Sequence, residues 1–218
     1  DVQNYYTETN EMINITLDPN LNPQDNAQVY YKKYTKSKSR FENANKQLKI
    51  AVNELRYLES VLMSLELSTE YNEINEIKEE LIKQEIVKKS SKKSRESFEE
   101  SNPLKYISTD GDIIMVGKNN RQNDYLSTRY SSPKDLWLHV KNNPGAHVIV
   151  KKTGKEITEK TIFEAASLAA FYSKLKNATT AEVDYTEIKH VKKIPGGKPG
   201  MVIYHEFKTI NVKPEILI

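Results

Sequence analysis

YTKSKSRFENANKQLKIAVNELRYLESVLMSL (34–65) places Tyr34, Phe41, Leu48, Leu55 and Leu62 at every seventh position. Ser37, Ala44, Ala51, Leu58 and Leu65 follow at the second seam position of the same repeat. A period of 3.5 held across this stretch predicts an α-helix with a coiled-coil seam, because only a helix returns those residues to one line. Lys, Glu and Asn fill the outer positions. At about 1.5 Å per residue, a helix over 26–66 would be about 60 Å long. The pattern breaks at Leu67-Ser68-Thr69-Glu70, where Ser68 or Thr69 can cap a second helix carrying Ile74, Ile77, Leu81 and Gln84. The short break favours an antiparallel hairpin whose second helix covers the first seam, with an intermolecular coiled coil as the rival arrangement.

Upstream, residues 1–25 are rich in Asn, Asp, Thr and Pro and read as a linker, the chain being taken as a fragment of a longer protein. Downstream, 86–101 (IVKKSSKKSRESFEES) reads as a charged boundary segment. The resulting division is linker 1–25, helical arm 26–101 and a second domain 102–218. That domain opens with a change of texture. DIIMVG (112–117), DLWLHV (135–140) and HVIVKK (147–152) read as strands, the last two joined through Asn142-Asn143-Pro144-Gly145. A short helix is expected from Asn123 to Tyr130. Residues 158–177 predict the main helix, with Thr161 and Glu164 at capping-box spacing. Val183 and Tyr185 begin another strand, and Met201 to Val212 a last one. The fold class is α+β: a long antiparallel helical hairpin followed by a compact β-rich domain with one main helix.

Composition narrows function. Charged residues make up 29% and hydrophobic ones 37%, too polar for one large core. With no cysteine, disulfide, thiolate and cysteine–zinc chemistry are excluded. No apolar run is long enough to span a bilayer, so membrane insertion is not expected. Charge is segregated: residues 1–101 hold 15 basic and 18 acidic side chains, 102–218 hold 18 and 12. A basic domain fits a polyphosphate partner, although ordinary solubilising lysines give the same count.

Three clusters can carry chemistry. His139 and His147 flank the Pro-Gly turn, with Asp135 two strand steps from His139. Two imidazoles and a carboxylate make a metal half-site, or else two histidines satisfying buried backbone. Metal binding is the less favoured reading, and no cofactor is expected. His190 and His205 sit in separate strand contexts and complete no set. IPGGKPG (194–200) lacks the Gly-Lys-Ser/Thr of a phosphate loop and is read as a flexible basic loop. Lys189, Lys192, Lys193, Lys198, Lys208 and Lys213 surround it, interleaved with Tyr185, His190, Tyr204 and His205, a pattern suited to RNA backbone with unstacked bases. GKNNRQND (117–124) is dense in donors and acceptors: Asn119, Asn120, Arg121, Gln122, Asn123 and Asp124 either tie down a turn or read a polar ligand. Trp137, the single tryptophan, reads as a core anchor. Neither a nucleophile elbow nor a cysteine nucleophile is present, so a binding module is expected rather than an enzyme.

These same blocks carry a resemblance. VGKNNRQNDYLSTRYSSPKDLWLHVKNNPGAHVIV (116–150) and VDYTEIKHVKKIPGGKPGMVIYHEFKTINVKP (183–214) resemble the two signature blocks of the NFACT-R domain. LDPNLNPQDNAQVYYKKYTKSK (17–38) and YLESVLMSLE (57–66) are similar to that family's coiled coil. The resemblance implies the C-terminal part of an NFACT ribosome-quality-control protein, lacking the N-terminal regions linked to tRNA recognition. It implies partners in the large ribosomal subunit carrying stalled peptidyl-tRNA, its rRNA and tRNA, and a part in mRNA-independent alanine tailing of nascent chains. The implied location is cytoplasmic and ribosome-associated. Bacterial members are also described as fibronectin-binding adhesins, surface-associated without a signal peptide. Carried over by position, the motif falls on Asn119, Asn120, Gln122, Asn123, Asp124, Asp135, Trp137, His139, Pro144, Gly145, His147, Lys198, Pro199, Gly200 and Lys208.

Overall fold

The computed structural model describes residues 1–9, 11–89 and 101–218. It forms two compact units, Asp1–Asn53 and Glu54–Ile218. Most of the charged boundary segment, Lys92 and Lys93 included, lies outside the described residues.

In the first unit, β1 (Val2–Gln3) and β2 (Met12–Ile13) pair antiparallel within the stretch read as linker. Asn22 accepts the Asp25 N–H at 2.8 Å immediately before Pro23, where α1 (Pro23–Leu67) starts. An asparagine cap with proline at the first helical position supplies a ready nucleus. Asn26 is buried, accepting the Asp18 N–H and donating to the Asp18 carbonyl. The boundary between the units falls inside α1.

In the second unit, the end of α1 turns at Ser68–Glu70 into α2 (Tyr71–Lys83), the hairpin that the break at 67–70 predicts. The start of α2 carries a capping box between Glu70 and Glu73. The covered face is not the expected one. Tyr57, Val61 and Ile77 form the buried helix–helix cluster, with Leu81 and Met201 against it. The heptad positions Tyr34, Phe41, Leu48, Leu55 and Leu62 stay 57–69% exposed. With 13 residues, α2 is far shorter than the seam, and its buried face is held by polar groups of the following domain.

That domain is a six-stranded antiparallel sheet of order β10-β7-β5-β6-β4-β3. Its strands are β3 (Leu104–Ile107), β4 (Ile113–Val116), β5 (Leu136–Val140), β6 (Val148–Val150), β7 (Ala181–Glu187) and β10 (Lys208–Val212). Alternation sorts their side chains by face. Leu136, Leu138, Val140, Val148 and Val150 pack under α4 (Glu159–Phe171), whose Ala165, Ala166, Ala169 and Ala170 let it lie close to the sheet. Trp137 and Ile149 point the other way, where Leu126 and Ile188 complete a second small core. This face is covered by α3 (Asn120–Tyr125), the π-helical turn Leu126–Tyr130 that continues it, and a hairpin of β8 (Val191–Lys193) and β9 (Val202–Tyr204).

Local expectations shift in three places. The main helix ends at Phe171 rather than 177, because the chain turns there and Ser173 bridges Gly145. Its cap is Thr158, which accepts the Thr161 N–H at 3.1 Å; Glu164 instead binds the Thr109 N–H and hydroxyl. The last strand is split into β9 and β10 at Glu206, whose φ of 51° is incompatible with a continuous ladder.

Candidate nucleic-acid interface

The polar loop 117–124 forms a clamp against α2. Asn119 caps α3 by accepting the Gln122 N–H at 2.9 Å, and its amide donates to Glu76 at 2.9 Å. Asn120 donates to Glu80 at 3.2 Å, and Lys118 pairs with Glu73. Glu73, Glu76 and Glu80 are all buried along one side of α2. Glu76 also receives the Ser101 N–H (2.5 Å) and hydroxyl, and Glu80 the Tyr57 hydroxyl at 2.8 Å. Burial opposes ionisation of Glu73, but the Lys118 ammonium and the Thr69 and Glu70 amides outweigh it and hold its carboxyl below the usual range. At Glu80 burial prevails over the bonds from Tyr57 and Asn120, and its carboxyl is pushed up. A buried carboxylate row is tolerated only when its lone pairs are met in this way. Gln122 donates to Ser101, and Asn123 ties α3 to the β5–β6 connection by accepting the His147 N–H (2.9 Å) and donating to the Gly145 carbonyl (3.3 Å).

Behind this clamp lies a pocket of about 310 Å³. Trp137, His139, His147 and Tyr204 give it flat walls; Asn142, Asn143, Pro144 and Gly145 form one lip, and Arg56, Glu59 and Ser60 of α1 another. The His139 ring stacks on the Trp137 indole (5.6 Å between centroids, 14°), and His147 meets both edge-on at 5.2 Å. Ser127 bonds His147 Nδ1 at 2.7 Å, and Tyr204 donates to the buried Asp184 at 2.8 Å. Burial pushes His139 down to about 4, against the pull of the Gly145 carbonyl and Asp184; burial and its neighbour His139 push His147 well below the ordinary histidine value. Both rings are therefore neutral at pH 7. Gly145 is required here: a Cβ would lie 2.8 Å from Ser173 Cβ and 2.9 Å from a Val140 methyl. Gly200, at φ 75°, likewise brings backbone against Asn120.

Of the residues singled out in the sequence, Asn120, Asn123, Trp137, His139, Pro144, Gly145, His147, Gly200 and Tyr204 meet at this pocket. Asp135 does not. Its carboxylate takes the Lys151 ammonium at 2.5 Å and the Ser132 and Lys152 N–H groups, so the metal half-site with His139 and His147 is not assembled. Burial disfavours that charge, yet Lys151 and the two amides keep Asp135 below the carboxylate range. Lys198 stands over the Tyr57 ring, 5.4 Å from its centroid. Lys192 is exposed on β8, while Lys193 pairs with Asp124 at 2.7 Å and Lys189 with Glu187 at 2.6 Å. Arg121 lies in a separate hollow with Arg129 and Asp124, and Lys208 on the edge strand β10. His190 and His205, read as unrelated, are brought together by the β8–β9 pairing. Their ring nitrogens are 3.4 Å apart, with Glu206 close by, and these three form a metal-compatible group among the described residues. Arg56 and Ser60 escaped the sequence reading, and Asn142 enters it only as part of a turn. Arg56 and Ser60 look like outer positions of a coiled coil, and only the packing of Tyr57 and Val61 turns them toward the pocket.

A helical hairpin clamped onto a six-stranded α+β domain, with an indole–imidazole pocket at their junction, is the class of architecture defined here. Residues 1–100 match the family model described as NFACT N-terminal and middle domains, and 103–206 the NFACT protein RNA binding domain. The Rqc2 homolog RqcH of Bacillus subtilis is 42% identical over 99% of this chain, and that of Streptococcus suis 38% over 98%. The chain spans 38% of the length of each. The solved C-terminal part of a fibronectin/fibrinogen-binding protein from Streptococcus suis superposes with a TM-score of 0.80 at 36% identity, over 88% of this chain and 77% of that one. The chain belongs to the NFACT family.

Proposed function

We propose that this chain is the RNA- and ribosome-binding part of a ribosome-quality-control factor, acting by binding rather than catalysis. The carrying observation is the pocket at the arm–sheet junction, with Arg56 on its rim and Lys198 over the neighbouring Tyr57 ring, in a domain that matches an RNA-binding family model. In this reading 26–101 is a coiled-coil arm and 102–218 the RNA-binding domain. The chain engages the large subunit through rRNA or tRNA in the cytoplasm, and its parent supports alanine tailing. Among the described residues no helix is long and apolar enough to cross a membrane. The buried, protein-bonded amides of Asn119, Asn120, Gln122 and Asn123 position the interface, leaving phosphate contact to Arg56, Lys192 and Lys198.

Co-sedimentation with purified large subunits across a salt series tests this. Binding should fall steeply with salt. R56A/K192A/K198A should lower both affinity and slope, the log–log slope by about 0.7 for each single-strand phosphate no longer neutralised. Affinity flat in salt would refute the reading. The fibronectin reading rests on the family description and on the name of the solved neighbour; saturable, salt-resistant capture of one fibronectin fragment would favour it instead.

A further inference from the structure

We propose that the pocket at the arm–sheet junction takes one unstacked nucleobase of single-stranded RNA, with the adjoining phosphates on Arg56 and Lys198; this rests on the RNA-binding reading and specifies its chemistry. Size comes first. At about 310 Å³ the pocket is at the small end of ligand sites, enough for one nucleotide unit and too small for a duplex. Its inner walls are flat and uncharged, the charged side chains Arg56 and Glu59 standing at the lip. The half-buried His139 and Tyr204 rings offer π-faces, the surfaces on which single-stranded bases stack, with the buried Trp137 indole and His147 imidazole packed directly behind them. A phosphate would be poorly served there, because neutral histidines provide no counter-charge while Asp184 stands behind Tyr204 and Glu59 lines the rim. The cations stand at the margin, where a backbone would pass.

Two further observations point to a ligand. The indole N–H of Trp137 is buried and has no hydrogen-bond partner among the described residues. An unmet buried donor costs about 1–3 kcal/mol, and base carbonyls and ring nitrogens are acceptors of the kind it lacks. Asn142, at φ 55°, holds the lip turn in a left-handed conformation and brings an amide-bearing residue to the rim. Amide side chains pair with base edges. Five of the residues that carry the family resemblance (Trp137 and His139 on β5, Gly145 and His147 in the β5–β6 connection, and Gly200 between β8 and β9) meet around this one space.

Because Trp137 is the single tryptophan, its emission reports on the pocket directly. The 218-residue chain would be titrated with a short labelled single-stranded RNA and with an abasic oligonucleotide of equal length. Label anisotropy reports binding, and indole emission reports stacking. Base-bearing RNA should quench emission saturably, whereas the abasic strand should bind more weakly without quenching. Ser60→Phe, which fills the pocket from the α1 side without touching the sheet core, should weaken base-bearing RNA roughly tenfold to a hundredfold and abolish quenching. Equal quenching by the abasic strand, or unchanged affinity in Ser60→Phe, would overturn the pocket assignment while leaving RNA binding intact. No anisotropy change with any RNA would overturn both.

Discussion

The two helices of the hairpin invert the usual distribution of polarity. Along α1, Phe41 is 69% and Leu48 61% exposed; on α2, Glu73 is 2%, Glu76 9% and Glu80 7% exposed. Hydropathy alone would bury the first set and expose the second. Burial follows the partner instead. α2 meets a surface offering Lys118, Asn119, Asn120, Ser101 and Tyr57 as donors, and carboxylates are the side chains that match it. A buried polar row is weak evidence of stability.

Breaking the polar side should have the largest effect. Glu76→Ala strands the Ser101 N–H and the Asn119 amide, and should cost about 3 kcal/mol in urea unfolding. A loss below about 1 kcal/mol would show that the row is ornamental to folding. Acid should act next. The unfolded imidazoles bind protons that the folded His139 and His147 refuse, so their stabilisation is complete above neutral pH and drains as pH falls through about 6.5 toward 4. For His139 alone this amounts to about 2 kcal/mol between pH 7 and 5, and His139→Gln should flatten that part of the stability–pH curve. The Glu73 and Asp135 contributions are present above the ordinary carboxylate range and go only at lower pH, as it falls through their depressed values. The smallest effect belongs to the apolar side. Leu48→Ala should change unfolding by no more than about 0.5 kcal/mol. A larger, concentration-dependent loss, with a dimer in sedimentation, would mean that a second copy covers the seam.

The helical arm and the α+β class were legible because period 3.5 and strand alternation are local properties. Which face of α1 would be covered was not legible. Tyr57, Val61 and Ser64 lie off the heptad line, and their burial depends on where α2 and Met201 are held. Trp137, His139 and His147 could be picked out from chemistry, but the spacing that suggested Asp135 as their companion overlooked Lys151, two strand positions beyond Ile149. The pairing of His190 with His205 was hidden for a similar reason: it depends on the register of β8 against β9, which no periodicity encodes.

The lip formed by Arg56, Glu59 and Ser60 bears on how the molecule can be divided. The two family models meet near residue 100, where a sequence-minded dissection would cut. The compact unit begins at Glu54, and one rim of the pocket is supplied from before that cut. A fragment starting at Asn102 would keep the sheet and expose the clamp's amide donors, yet carry only half a mouth. The smallest piece that keeps the whole rim of the pocket therefore starts within α1.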